Sequence, residues 1–149
     1  MALTPPRRIV LFGLPAAVIV GVAMLGPDDA TNARVAITPD EAFERAAAQD
    51  ILLIDIRRPD EWRATGVPQF GTALDMRNHD FTTQLSELSG GDFGAPIALI
   101  CARGVRSARL SARLKSAGFT QIIDVPEGML GSRAGPGWLR RGLPVKSGG

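Results

Sequence analysis

From residue 35 onward, short apolar runs alternate with stretches whose apolar residues recur every three or four positions. Ile51 to Ile56, interrupted only by Asp55, and Ile97 to Ile100 are near-continuous apolar runs. That is the pattern of parallel strands buried on both faces. Gln121 to Val125 reads as a further strand, Gly71 to Leu74 as a weak one, and Arg34 to Ile37 as a short first strand. Helical patterns lie between them. Thr38-Pro39-Asp40-Glu41 is a capping box with proline at the first helical position. It opens a helix through about Ala48 whose stripe is Ala42, Phe43, Ala46 and Ala47. Pro59 to Ala64 predicts a short helix. Phe81, Leu85 and Leu88 mark another, closed by Ser89-Gly90-Gly91, and a last helix runs to about Ala117, ended by Gly118. Strands alternating with helices predict an α/β fold in three layers, a parallel sheet of about five strands with helices on both faces.

The first 34 residues follow a different pattern. Residues 1–8 carry Arg7-Arg8, residues 9–26 are uncharged and mostly apolar, and residues 27–34 open with Pro27-Asp28-Asp29 as a linker. Positive charge before an apolar stretch and acidic charge after it predict a cytoplasmic N-terminus with the domain across the membrane. The stretch is just long enough to cross a ~30 Å hydrocarbon core as an anchor. It also fits a cleaved signal peptide, with Gly21-Val22-Ala23 and Thr31-Asn32-Ala33 as tolerable sites. Either reading places residues 35–146 in the cell envelope, on the periplasmic side of a bacterial membrane, with residues 147–149 as a tail.

Charge and composition narrow the chemistry. The net charge is +2 and no basic run is interleaved with aromatics, so nucleic acid is not an expected partner. There is one cysteine, which excludes an internal disulfide, and one histidine, His79, in the polar turn Arg77-Asn78-His79-Asp80. A metal site needs ligands this chain does not cluster, so neither metal nor cofactor is expected. The remaining candidate is Cys101. It ends the apolar run at Ile100 and opens the loop Cys101-Ala102-Arg103-Gly104-Val105-Arg106-Ser107, directly before the last helix. A helix N-terminus and neighbouring cations stabilise a thiolate. Gly104 lets the backbone curl so that the N–H groups from Ala102 to Ser107 face one anion. Arg103 and Arg106 lie inside the loop, and five basic residues with no acidic one run from Arg103 to Lys115. Ser107 supplies a hydroxyl at the helix start, and capping of the helix explains it equally well.

These residues resemble the active-site loop of the rhodanese (sulfurtransferase) family. Other segments match in order. Asp55-Ile56-Arg57-Arg58-Pro59-Asp60-Glu61-Trp62 is similar to the family's D-x-R-x-x-x-E-aromatic block. Gly66-Val67-Pro68 and Gly71-Thr72-Ala73 resemble its following turn, without the usual histidine. Glu127-Gly128-Met129 and the stretch from Trp138 to Gly142-Leu143-Pro144-Val145 resemble its C-terminal end. The resemblance covers roughly residues 35–146. It implies a rhodanese-like fold and a ping-pong transfer of sulfane sulfur. Cys101 takes sulfur from an anionic donor such as thiosulfate, holds it as a persulfide and passes it to cyanide or a thiol. Arg106 is then expected to stabilise the thiolate and attract the donor, with Arg103 nearer the donor's sulfonate. Asp55 and Arg57 either shape the pocket rim or brace the loop. Glu61 and Trp62 are expected to pack and cap. Met129 and Leu130 line the pocket mouth or fill the core. The spacing from Cys101 to Arg106 is C-x4-R, one residue shorter than the C-x5-R ring of cysteine phosphatases. A phosphatase is therefore the runner-up enzyme, and a rhodanese-like binding or redox-sensing module is the non-enzymatic alternative. The domain is expected to be monomeric.

Overall fold

The computed structural model describes residues 35–148. Residues 1–8, the apolar segment 9–26 and the linker 27–34 lie outside the described residues. Among the described residues no helix is long and apolar enough to cross a membrane.

Five parallel strands form the central sheet: β1 (Val35–Ala36), β2 (Leu52–Asp55), β4 (Thr72–Ala73), β5 (Ile97–Ile100) and β6 (Ile122–Asp124). Their spatial order is β1-β6-β5-β2-β4. The helices between them are α1 (Pro39–Ala47), α2 (Pro59–Thr65), α3 (Phe81–Leu88) and α4 (Val105–Ser116). Thr38 caps α1, its hydroxyl oxygen accepting from the Glu41 N–H at 3.2 Å. The apolar runs become strands because neighbours with a period of two feed two separate cores. Ile97, Leu99 and Cys101 face one core with Ile54, Phe81, Leu85, Leu110 and Leu114, under α3 and α4. Ala98 and Ile100 face the other with Ala42, Ala46, Leu53, Ile123 and Trp138, under α1 and the chain after β6. The sheet is thus covered on both sides, as the alternation of strands and helices predicted.

β5 is the middle strand, fully buried, with Asp55 of β2 in register with Ile100. Cys101 follows at the carboxyl end of that strand, where open parallel sheets bind their ligands.

One feature of the fold was not expected from the sequence. Val67–Pro68 (β3) pairs antiparallel with Val145–Lys146 (β7), so the end of the chain closes beside α2. Gly66 makes this approach: its φ is +78°, and a Cβ there would sit 2.8 Å from the Lys146 carbonyl oxygen. Two-residue strands carry no alternation that a pattern can register.

Candidate active site

The loop after β5 folds back over its own cysteine. Cys101 is 1% exposed. The Gly104 N–H donates to its Sγ at 3.1 Å. The thiol in turn donates to Ser107 Oγ at 3.6 Å, and the Ser107 hydroxyl donates to the Gly104 carbonyl at 3.1 Å. Gly104 is the N-cap of α4, in the left-handed region with φ +79° and ψ −15°. Ser107 therefore lies in the first turn rather than at the cap, and the capping explanation of its hydroxyl falls. With no acidic residue in the first turn and Arg113 and Lys115 in the last, α4 points its positive end at the sulfur.

Glycine at 104 is required twice. A left-handed residue with a Cβ costs about 1–2 kcal/mol, and here the Cβ would collide with the Pro126 carbonyl oxygen and sit 2.9 Å from its carbon. The segment 126–130 is itself fixed. Met129 N–H donates to Cys101 O at 2.8 Å and Leu130 N–H to Ala102 O at 2.9 Å. Neither backbone can move without the other. Gly104→Ala is expected to lower turnover by ~100-fold through displaced loop donors, with a smaller loss of thermal stability. Steady-state rates and melting curves compared on one preparation check it, and an activity loss below threefold would show that the cradle tolerates the shift.

Arg106 is fixed by Glu61, and its positive charge is favoured first by that carboxylate and more weakly by Cys101. Its two terminal nitrogens donate to Glu61 at 2.6 and 2.8 Å in a bidentate pair. Glu61 also accepts from the Arg58 N–H at 3.1 Å, so it caps α2 and holds the last residue of the C-x4-R ring together. The Arg106 hydrogen bonds, aided by the Arg58 N–H and opposed by burial, lower the Glu61 carboxyl from 4.5 to about 2. A lowered carboxyl binds its proton less in the folded chain than in the unfolded one. Its stabilisation is therefore complete above about pH 4.5 and is lost as pH falls toward 2. The stability gap between the native protein and Glu61→Gln should accordingly close over that interval in denaturant titrations. A gap that stays constant with pH would mean that Glu61 ionisation is not coupled to folding.

Asp55 and Arg57 form a buried ion pair at 2.7 Å. Arg57 also donates to Thr65 Oγ1 at 2.8 Å and Gly66 O at 2.6 Å. Of the two sequence readings, the geometry is that of a brace, tying the end of β2 to the end of α2. Met129 is buried among the residues of the second core, so its side chain does not line a pocket mouth; it supports Cys101 through its backbone N–H. Leu130 is partly buried against the same core. The sequence reading gave Glu127 no role of its own. Its buried carboxylate accepts from Gly137 N–H at 2.9 Å and from Arg141 at 2.7 and 2.8 Å, anchoring the 126–130 segment. Trp62 is buried, in keeping with a packing role, and His79 is exposed beside Asp80.

A thiol held by a loop N–H at the head of a helix, on a central parallel strand, is the arrangement the sequence resemblance implied. The Rhodanese-like domain model matches residues 38–133. The chain belongs to the rhodanese family. Among curated rhodanese relatives it is similar to the thiosulfate sulfurtransferase GlpE of Glaesserella parasuis serovar 5, with 31% identity over 112 residues covering 75% of this chain and 93% of that protein. A sulfurtransferase of Allochromatium vinosum is 28% identical over 100 residues, covering 67% and 82%. Among solved structures, the polysulfide-sulfur transferase homodimer from Wolinella succinogenes superposes with a TM-score of 0.60 at 29% identity, covering 80% of this chain and 82% of that one.

Proposed function

We propose that this rhodanese is a sulfurtransferase whose Cys101 shuttles one sulfur atom. The observation that carries the reading is the Gly104 N–H aimed at Cys101 Sγ, at the head of α4. The thiolate attacks the outer sulfur of thiosulfate. A new S–S bond forms, the donor's S–S bond breaks, and sulfite leaves with the electron pair. Cys101 is then a persulfide, its charge held by the loop donor and the positive end of α4. Cyanide attacks the outer sulfur, thiocyanate leaves, and the Cys101 thiolate returns; a thiolate acceptor leaves as its persulfide. No separate general base is needed at the sulfur-transfer steps, because the thiolate is itself the nucleophile.

Intact-mass spectrometry of the purified protein tests this. Thiosulfate should add one sulfur atom at Cys101 and release one sulfite, and cyanide should reverse the gain while producing thiocyanate. No mass gain on a thiol that still alkylates would turn the reading toward a redox sensor or binding module. Phosphoryl chemistry is disfavoured by the C-x4-R spacing from Cys101 to Arg106, one residue shorter than the C-x5-R ring of cysteine phosphatases.

The charge pattern around residues 9–26 supports a periplasmic site of action, anchored or released after cleavage. Fractionation of cells carrying the full chain, followed by N-terminal sequencing, tests both. Recovery in the cytoplasmic fraction would refute it. The domain is proposed to act as a monomer, which light scattering of the purified protein checks.

A further inference from the structure

Large apolar side chains left in water gather at the end of the sheet opposite Cys101. The five strands are parallel, so their amino ends share one end of the domain and Cys101 stands at the other. Val35 begins β1, Phe70 precedes β4, Leu88 ends α3 and Phe93 lies in the turn before β5. These four are 41% to 55% exposed. Phe70 and Leu88 line one groove with Ala47, Ile51 and Pro96, which places them on the same face. The Phe93 carbonyl accepts from the Thr120 N–H at 2.9 Å, just before β6, and so belongs to the same end. Among the described residues the other large apolar side chains left exposed are Val105, at the start of α4, and Val145 in β7.

An exposed apolar patch marks an interaction surface, and the chain's connectivity selects its partner. The linker 27–34 joins the proposed anchor, residues 9–26, to Val35, at this same end. Its eight residues span at most about 28 Å, and a domain of this length is roughly 34 Å across. The tether is therefore too short to turn the domain over and set its Cys101 end on the bilayer. Tethering also raises the local concentration of lipid, so a few apolar side chains suffice. Asp50, Glu87 and Asp92 are exposed at this end, so the attraction is apolar transfer and not a pull on anionic headgroups. Resting on the anchored form of the envelope reading above, we propose that Phe70, Leu88 and Phe93 seat the amino-end face on the lipid surface, with zwitterionic lipid sufficient. The Cys101 end then faces the aqueous phase, from which donor and acceptor arrive.

The full chain is first sought in carbonate-washed membranes of cells that express it. Its absence there counts against the anchored reading and removes this proposal with it. The chain recovered is then reconstituted in phosphatidylcholine vesicles whose lipid is brominated high on the acyl chains, a short-range quencher of tryptophan fluorescence. Trp62 and Trp138 are buried, and the unsubstituted chain supplies their background. Tryptophan is placed singly by Phe70→Trp, Phe93→Trp and Val105→Trp. An interfacial face lies about 5–10 Å into the headgroup boundary, while the other end is roughly 34 Å away. Quenching should therefore be at least about fivefold stronger at positions 70 and 93 than at 105, and it should survive high salt. Adding Phe70→Ser and Leu88→Ser to the Phe93→Trp chain should bring its quenching down toward that of Val105→Trp, with circular dichroism confirming the fold. Equal quenching at the three positions in a membrane-retained chain overturns this proposal alone. Quenching that high salt abolishes, or that the two serines leave unchanged, also overturns it.

Discussion

Cys101→Ser is expected to lower thiosulfate:cyanide sulfur transfer by about 10³-fold or more, the scale seen when a covalent nucleophile is removed. The serine hydroxyl is not ionised near neutral pH, and nothing beside it takes its proton. The partners of the present sulfur are the Gly104 N–H, a donor at 3.1 Å, and Ser107 Oγ at 3.6 Å, itself bonded to the Gly104 carbonyl. His79 is largely exposed in a distant turn of the chain, its ring beside Asp80. Oxygen is also a poor nucleophile for sulfane sulfur, whose exchange runs through thiolates. Folding should survive, because the serine hydroxyl keeps Ser107 as a hydrogen-bond partner in a site that is 1% exposed. Circular dichroism and melting curves establish that point, and Cys101→Ala gives a second variant with no buried hydroxyl. Turnover persisting in both folded variants would remove Cys101 from the mechanism.

The parts of the fold legible in the sequence were those written in local pattern. β5 matches its apolar run residue for residue, because a strand buried on both faces must be apolar throughout. The loop around Cys101 was legible for the same reason, since strand, glycine and helix start are contiguous. What escaped was long-range pairing. Glu61 and Arg106 are 45 positions apart, and Glu127 and Arg141 are 14 apart. A charged residue in a sequence declares its sign and not its partner. The expected roles shifted accordingly. Arg106, read as a cation facing the donor, is held by a carboxylate, while Glu61, read as a cap, both caps α2 and fixes the ring. Met129 offered two readings because methionine suits a pocket and a core alike. Only the placement of its neighbours, Ile100, Val125 and Trp138, decided for the core.

Arg57→Met is expected to cost about 3–5 kcal/mol of stability, the range for breaking a buried ion pair by removing one partner. The side chains of Arg57 and Asp55 are 1% and 0% exposed. The guanidinium gives Asp55 contacts at 2.9, 3.1 and 2.7 Å, and it also satisfies Thr65 Oγ1 and Gly66 O. Methionine fills much of the volume but leaves a buried carboxylate without its countercharge. Small domains hold only about 5–15 kcal/mol in total, so the loss takes a large share of the folding free energy. It also falls where function is sensitive to it. Asp55 is in register with Ile100, and Ile56 N–H donates to the Ile100 carbonyl at 3.0 Å. Loosening the end of β2 therefore loosens the strand end that carries Cys101. Denaturant unfolding measures the cost, and the double variant Asp55→Leu with Arg57→Met separates its causes. If the penalty comes mainly from the stranded charge, the double variant should be more stable than Arg57→Met alone, because the unpaired carboxylate is gone. A double variant less stable than the single one would mean instead that Arg57 contributes chiefly through Thr65 and Gly66. A loss below about 1 kcal/mol in Arg57→Met, the scale of an exposed pair, would refute the brace altogether.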